Sequence, residues 1–267
     1  TGVQTCALPI LIHYFANNIA FFVSCISALV ALILTTRIQD VHDPVQAPTL
    51  KACITGARQQ LADRSVWLIG ILATVVILVP FATRDTLTPV YAEQLGARAG
   101  ILAVLGNIHL LFYGLAIALC SSVFYQRLGL VKTAVLGIVL QVISTFGIPF
   151  TSNMYVIYLW QALAGFSFGM AFAAFMSLSV VNTSSDEQST RMGLFQTIYS
   201  CGMFVGPVMM GVMMQHINLS SGYILIAALS VVAAIATPLS ARWVYARKTQ
   251  TSAQLLKNGA YAAAPDQ

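Results

Sequence analysis

Long runs without charge dominate this chain, and they decide what it can fold into. Residues 154–181 contain no Asp, Glu, Lys or Arg, and neither do 101–122 or 222–241. Seven apolar stretches, at 14–34, 66–90, 101–122, 131–150, 154–181, 192–215 and 222–241, each reach roughly the 20 residues needed to cross a bilayer core. Charged residues make up 8% of the chain, against about 25% in soluble domains, so its surface is not one that water would solvate. Backbone amides in lipid must bond within their own segment, which predicts a helix for each stretch. The runs are too long and unbroken for barrel strands. The expected fold is an all-α membrane protein, a polytopic bundle of about seven transmembrane helices.

Basic residues then orient the bundle. With 35–65 in the cytoplasm, eleven of the thirteen lie on that side: Arg37, Lys51, Arg58, Arg64, Arg127, Lys132, Arg191, Arg242, Arg247, Lys248 and Lys257. Arg98 falls outside and Arg84 lies within a span. No stretch combines basic density with aromatics, so the +5 net charge does not imply nucleic acid. The five cysteines lack metal-ligand spacing, and those beside apolar segments act as small hydrophobes. No metal or cofactor is implied. An intramembrane enzyme would need paired Asp, a His-Glu-x-x-His site or a Ser with a placed His, yet Asp85 is the lone intramembrane acid. A seven-helix receptor accounts only for the number of spans, and a retinal-binding one would need a Lys in 222–241. Without a phosphate-cradling loop, ATP-driven transport would need a separate subunit.

Residues 1–9 resemble a translated sequencing adapter and are read as a non-native leader ahead of the span in 10–34. The connection 35–65 opens with a Pro-containing charged stretch. Leu50, Ile54, Ala57 and Leu61 then recur at helical spacing, which predicts an amphipathic helix at the membrane surface. After the block 66–245 comes a polar tail, 246–267.

Several local patterns point to one family. Leu87-Thr-Pro89-Val-Tyr91-Ala-Glu-Gln-Leu95-Gly96 resembles the outer end of helix seven in major facilitator superfamily transporters. Gln126-Arg127-Leu128-Gly129 is similar to the family's Gly-x-x-x-Asp-Arg-x-Gly loop, with Ser122 and Gln126 where the Gly and Asp would stand. Arg191-Met-Gly193-Leu-Phe195-Gln196, then Gly202-x-x-x-Gly206-Pro207-x-x-x-Gly211, resembles helix eleven. The order and spacing hold over 10–250 and match the C-terminal half, helices six to twelve, of a chain truncated at its N-terminus. The resemblance implies secondary active transport of a small solute by alternating access, proton-coupled efflux foremost. An uptake permease for sugars or organic acids is the alternative. It further implies a multi-pass inner (plasma) membrane protein with cytoplasmic linker and C-terminus. Its partners would be a small-molecule substrate, protons as coupling ion, the lipid bilayer and the missing N-terminal half, without which transport is not expected.

Polar groups inside spans are costly and mark pathways or partners. The candidates are Arg84, Asp85, Asn107, His109, Gln161, Gln196 and Tyr199. They fall in helices seven, eight, ten and eleven, which line the path in that family. Arg84 lies ~27 Å along its helix, in the outer third. Either Arg84 binds an anionic substrate group or Asp85 cycles a proton, or else both snorkel to the outer interface or pair with neighbours to fix the helix. Neighbours on a helix point ~100° apart, so the two are expected not to pair. His109 either relays protons or bonds a neighbouring helix. Gln161, Gln196 and Tyr199 are read equally as substrate or interhelical contacts. Gly165, Gly169, Gly202, Gly206 and Gly211 are assigned to close packing, and Pro207 to a bend. In the loop motif of Gln126, Arg127 and Gly129, the resemblance implies that Arg127, with Lys132, contacts the opposite half or anionic lipid, and a positive-inside anchor is the alternative.

Overall fold

The computed structural model describes residues 17–37, 50–181, 183 and 185–257. Eight helices follow one another among these residues, with no strand. They are α1 (Asn17–Thr36), α2 (Leu50–Leu61), α3 (Arg64–Gln94), α4 (Gly100–Arg127), α5 (Leu130–Phe150), α6 (Met154–Val180), α7 (Ser185–His216) and α8 (Leu219–Lys257). The last six are long and apolar enough to cross a membrane, as expected for a polytopic all-α bundle. In α1, in the place of the first expected span, the described apolar stretch is the shorter Cys25–Thr36. The leader 1–9 lies outside the described residues, as does the Pro-containing part of the linker.

Local chemistry sets the helix ends. The Asp63 carboxylate accepts the Ser65 amide at 3.0 Å and so caps α3, while Asn153 accepts the Tyr155 amide at 2.9 Å and caps α6. Gly129, at φ 78°, turns the chain from α4 into α5 where a side chain would be strained. Two helices outrun their apolar stretches. α7 starts at Ser185, and α8 continues to Lys257, through residues of the expected tail that include good helix formers.

Lipid removes the hydrophobic drive between helices, so packing depends on close contact and hydrogen bonds. α3 and α6 are the most enclosed, with 61% of their apolar windows buried, and they pack on each other. α7 lies against α3 and α4 against α6, while α8 and α5 close the other side. Residues 64–150 and 154–242 therefore repeat one order, an enclosed helix, then a poorly covered one, then a third. Such repeats build many transporter folds.

Glycines make the two tight pairs possible. A Cβ at Gly165 would strike the His109 carbonyl oxygen of α4, and one at Gly169 would come within 2.6 Å of the Tyr113 carbonyl oxygen. In the other pair, Gly202 faces the Thr74 carbonyl oxygen and Gly206 the Leu78 carbonyl oxygen. Gly211 has nothing within 4 Å of its Cβ position, so packing gives no reason for it.

A proline is compensated across the bundle. Pro80, inside α3, lacks the amide that would bond the Val76 carbonyl one turn back. The Gln141 amide of α5 donates to that carbonyl oxygen at 3.1 Å instead.

Candidate functional site

Just beyond Pro80 the backbone of α3 widens into a π-turn over Thr83–Leu87, marked by the Thr86 hydroxyl donating to the Phe81 carbonyl at 3.0 Å. Arg84 and Asp85 sit on this turn and pair with each other, contrary to the expectation from an ideal helix. Arg84 Nε lies 2.6 Å from Asp85 Oδ1, and its Nη2 lies 2.9 Å from Oδ2. A π-turn brings successive side chains closer than ~100°, and the three-methylene stem of Arg lets the guanidinium fold back. Turns of this kind recur at functional sites. The pair is partly exposed, so it neutralises itself without being sealed off.

One turn on, a chain of buried polar groups crosses the bundle. Gln161 Nε2 of α6 donates to Thr88 Oγ1 of α3 at 3.0 Å, and Thr88 shares a 2.9 Å hydrogen bond with the Tyr223 hydroxyl of α8. The Gln161 carbonyl oxygen has no hydrogen-bond partner. His109 of α4 is buried at 1% exposure with neither ring nitrogen hydrogen-bonded, and its backbone lies against Gly165, one turn along α6 from Gln161. The structure thus brings Arg84, His109 and Gln161 to one level of the bundle. Asn107 is half-buried two residues before His109.

Toward the basic end, aromatic rings form a row across α4, α6 and α7. Tyr113 stacks on Phe168 at 5.2 Å, and Phe168 on Phe172 at 5.4 Å. Phe172 meets Tyr199 edge-on at 5.3 Å, and Tyr199 meets Phe195 at 5.1 Å. These separations are those of favourable ring pairs. Phe168, Phe172 and Phe195 of this row are buried in the core, while Tyr113 and Tyr199 are half-buried and belong to α4 and α7, the least covered helices, with 22% and 17% of their apolar windows buried. Gln196 of α7 is exposed, apart from the His109 cluster. Of the residues in this row, sequence reading marked Tyr199 as a pathway candidate and Phe195 only as part of the helix-eleven motif. Phe168 and Phe172, four apart on α6, were visible only as aromatic content.

At the basic end, Arg191 of α7 is buried at 7% exposure. It donates to the Ser179 carbonyl oxygen at 2.6 Å, Gln60 Oε1 at 2.9 Å, Asp63 Oδ2 at 2.9 Å and Ser65 Oγ at 2.5 Å. Gln60 in turn donates to Glu187 at 3.1 Å, which ties α2 to the start of α7. Partial burial works against the Asp63 charge. Hydrogen bonds from Ser65 and the Arg191 guanidinium outweigh it and hold the carboxyl below the usual range. Gln126 and Arg127 are exposed at the same end, beside the Gly129 turn.

The six long helices pack as two three-helix repeats, with glycine-mediated pairs and polar groups held inside the bundle. No curated protein sequence matches the chain. The model of the Major Facilitator Superfamily matches residues 81–264, more than half of the chain, beginning within α3 and so leaving 10–80 outside the match. The chain belongs to the Major Facilitator Superfamily.

Proposed function

We propose that this chain forms one wall of a proton-coupled exporter of amphipathic compounds. Family membership makes secondary transport of a small molecule its activity in general terms. The observation that carries the finer reading is the aromatic row Tyr113–Phe168–Phe172–Tyr199–Phe195, whose three buried phenylalanines are joined by half-buried tyrosines on the two least covered helices, α4 and α7. Such rings offer large apolar area with two phenol groups, which suits a solute with an apolar body and few charges. Arg84 supports the same reading. Its charge is taken by Asp85, so the site presents no free guanidinium to an anion.

The proton groups are Asp85 and His109. Protonating Asp85 would release Arg84, and His109 holds two unbonded ring nitrogens. A second six-helix unit, the N-terminal half, covers α4 and α7 and supplies the opposite wall, as in transporters whose sites lie between repeats. The protein resides in the inner (plasma) membrane with linker and C-terminus cytoplasmic, an orientation supported by the excess of basic residues on that side. Nucleic acid is not a partner in this reading.

The test is dye accumulation by everted vesicles carrying the full-length transporter, driven by an imposed proton gradient. Tyr199→Ala should lower the initial rate by about threefold or more, the value of an aromatic contact. Unchanged rates would reject the aromatic path. An uptake permease for sugars or organic acids is the second reading, favoured only by the partial exposure of Arg84. It predicts that Arg84→Ala abolishes uptake of an organic anion while insertion is intact.

A further inference from the structure

One groove in the described surface joins a hydrocarbon wall to an unneutralised cation. It runs between the first turns of α3 and residues 236–240 of α8, on a different side from the aromatic row. Its volume is about 830 Å³, within the ~300–1,000 Å³ of small-molecule sites. Trp67, Leu68, Ile71, Ala236 and Leu239 line it, and Arg64 stands at one end.

The polar groups of the wall are already satisfied. Trp67 Nε1 donates to the Leu61 carbonyl oxygen at 2.9 Å, and the Ser240 hydroxyl to the Thr237 carbonyl oxygen at 2.9 Å. Arg64 differs. It is exposed and takes part in neither ion pair found among the described residues. The adjacent Asp63 does not neutralise it, because that carboxylate is held by Arg191 and Ser65. Arg242, also exposed, follows Leu239 by three residues and so lies on the same side of α8.

Depth matters as well. From Arg64 to Ile71 the helix rises ~10 Å. That stays within the ~15 Å of hydrocarbon in one leaflet of a ~30 Å core. A soluble anion would leave the hydrocarbon wall unused, and a neutral lipid would leave the arginines unmatched. We propose that the groove binds an anionic phospholipid of the leaflet at the basic end. Its phosphate sits on Arg64, with Arg242 near, and one acyl chain runs along Trp67, Leu68 and Ile71 toward Ala236. Basic pockets between transmembrane helices hold anionic headgroups by the same electrostatics.

Trp67 is a built-in reporter. The full chain is reconstituted in phosphatidylcholine bilayers doped with brominated phosphatidylglycerol or brominated phosphatidylcholine, and tryptophan quenching is compared. The phosphatidylglycerol should quench with about fivefold higher apparent affinity, the value of one interfacial cation. Arg64→Gln should erase that preference and Arg64→Lys should keep most of it, with helicity by circular dichroism unchanged in both. Trp67→Phe should remove the selective component and so locate it in the groove. Equal quenching by the two lipids overturns the proposal. So does a preference that survives Arg64→Gln, or an absence of Trp67 quenching, which would mean that a protein segment fills the groove.

Discussion

Arg191 sits at 7% exposure with four acceptors around its guanidinium, three of them more than a hundred residues away in the chain. In the sequence it is one more basic residue at a helix start, and the charge count needs nothing further from it. Its burial was not legible because the partners come together only after α3 and α7 pack. Arg191→Ala leaves Asp63 and Gln60 without their shared donor, and should lower stability by about 2–3 kcal/mol. A denaturant titration in detergent would measure this, and trypsin should cut faster at Arg58 once α2 is released. Asp63 adds a pH signature. Its carboxyl is held below the usual range, so its contribution is complete above about pH 4 and fades as pH falls through the lowered value. The unfolding midpoint should therefore drop on acidification in the parent, and drop less in Asp63→Asn.

At the scale of elements, Pro80 and Gln141 belong together. The sequence shows the glutamine as an isolated polar group in a bland span, and the bend assigned from the sequence was at Pro207, not Pro80. Nothing in their spacing of 61 residues reveals that one fills the bond the other removes. The pairing makes a prediction about coupling. Gln141→Ala should cost about 1 kcal/mol in the parent and less in Pro80→Ala, where the restored amide can bond the Val76 carbonyl itself. Equal costs in both backgrounds would refute the compensation. The glycines separate in the same manner. Gly165→Leu must push α6 off the His109 backbone and should lose at least about 2 kcal/mol of stability. Gly211→Leu meets open space and should be tolerated in the same unfolding assay. Helical spacing marked both positions alike, and only the packed neighbour tells them apart. The π-turn was hidden for a related reason, since helix periodicity assumes the α geometry that residues 83–87 abandon.

For the molecule as a whole, hydropathy was sufficient to read the six long helices, and motif order to read the family. Both signals are local in sequence: an apolar run must be a helix in lipid, and loops and glycines repeat at fixed offsets. Which side faces a solute is a property of the assembly. Arg84, His109 and Gln161 were marked as separate polar residues, and folding gathers them at one level. Gln196, marked by the same rule, lies elsewhere. The row as a unit escaped, although Tyr199 was marked, because Phe and Tyr in a span look like lipid-facing residues until α4, α6 and α7 are placed side by side. The central claim is that the poorly covered faces of α4 and α7 line an aqueous solute path within the full-length transporter, while α8 faces lipid. Single cysteines at Gln196, Tyr199 and Val232, introduced with the native cysteines replaced by Ala, test it with a membrane-impermeant maleimide. The account predicts that the positions at Gln196 and Tyr199 label and are protected by substrate, while the one at Val232 stays unlabelled. Labelling at Val232 with none at Gln196 or Tyr199 would contradict it.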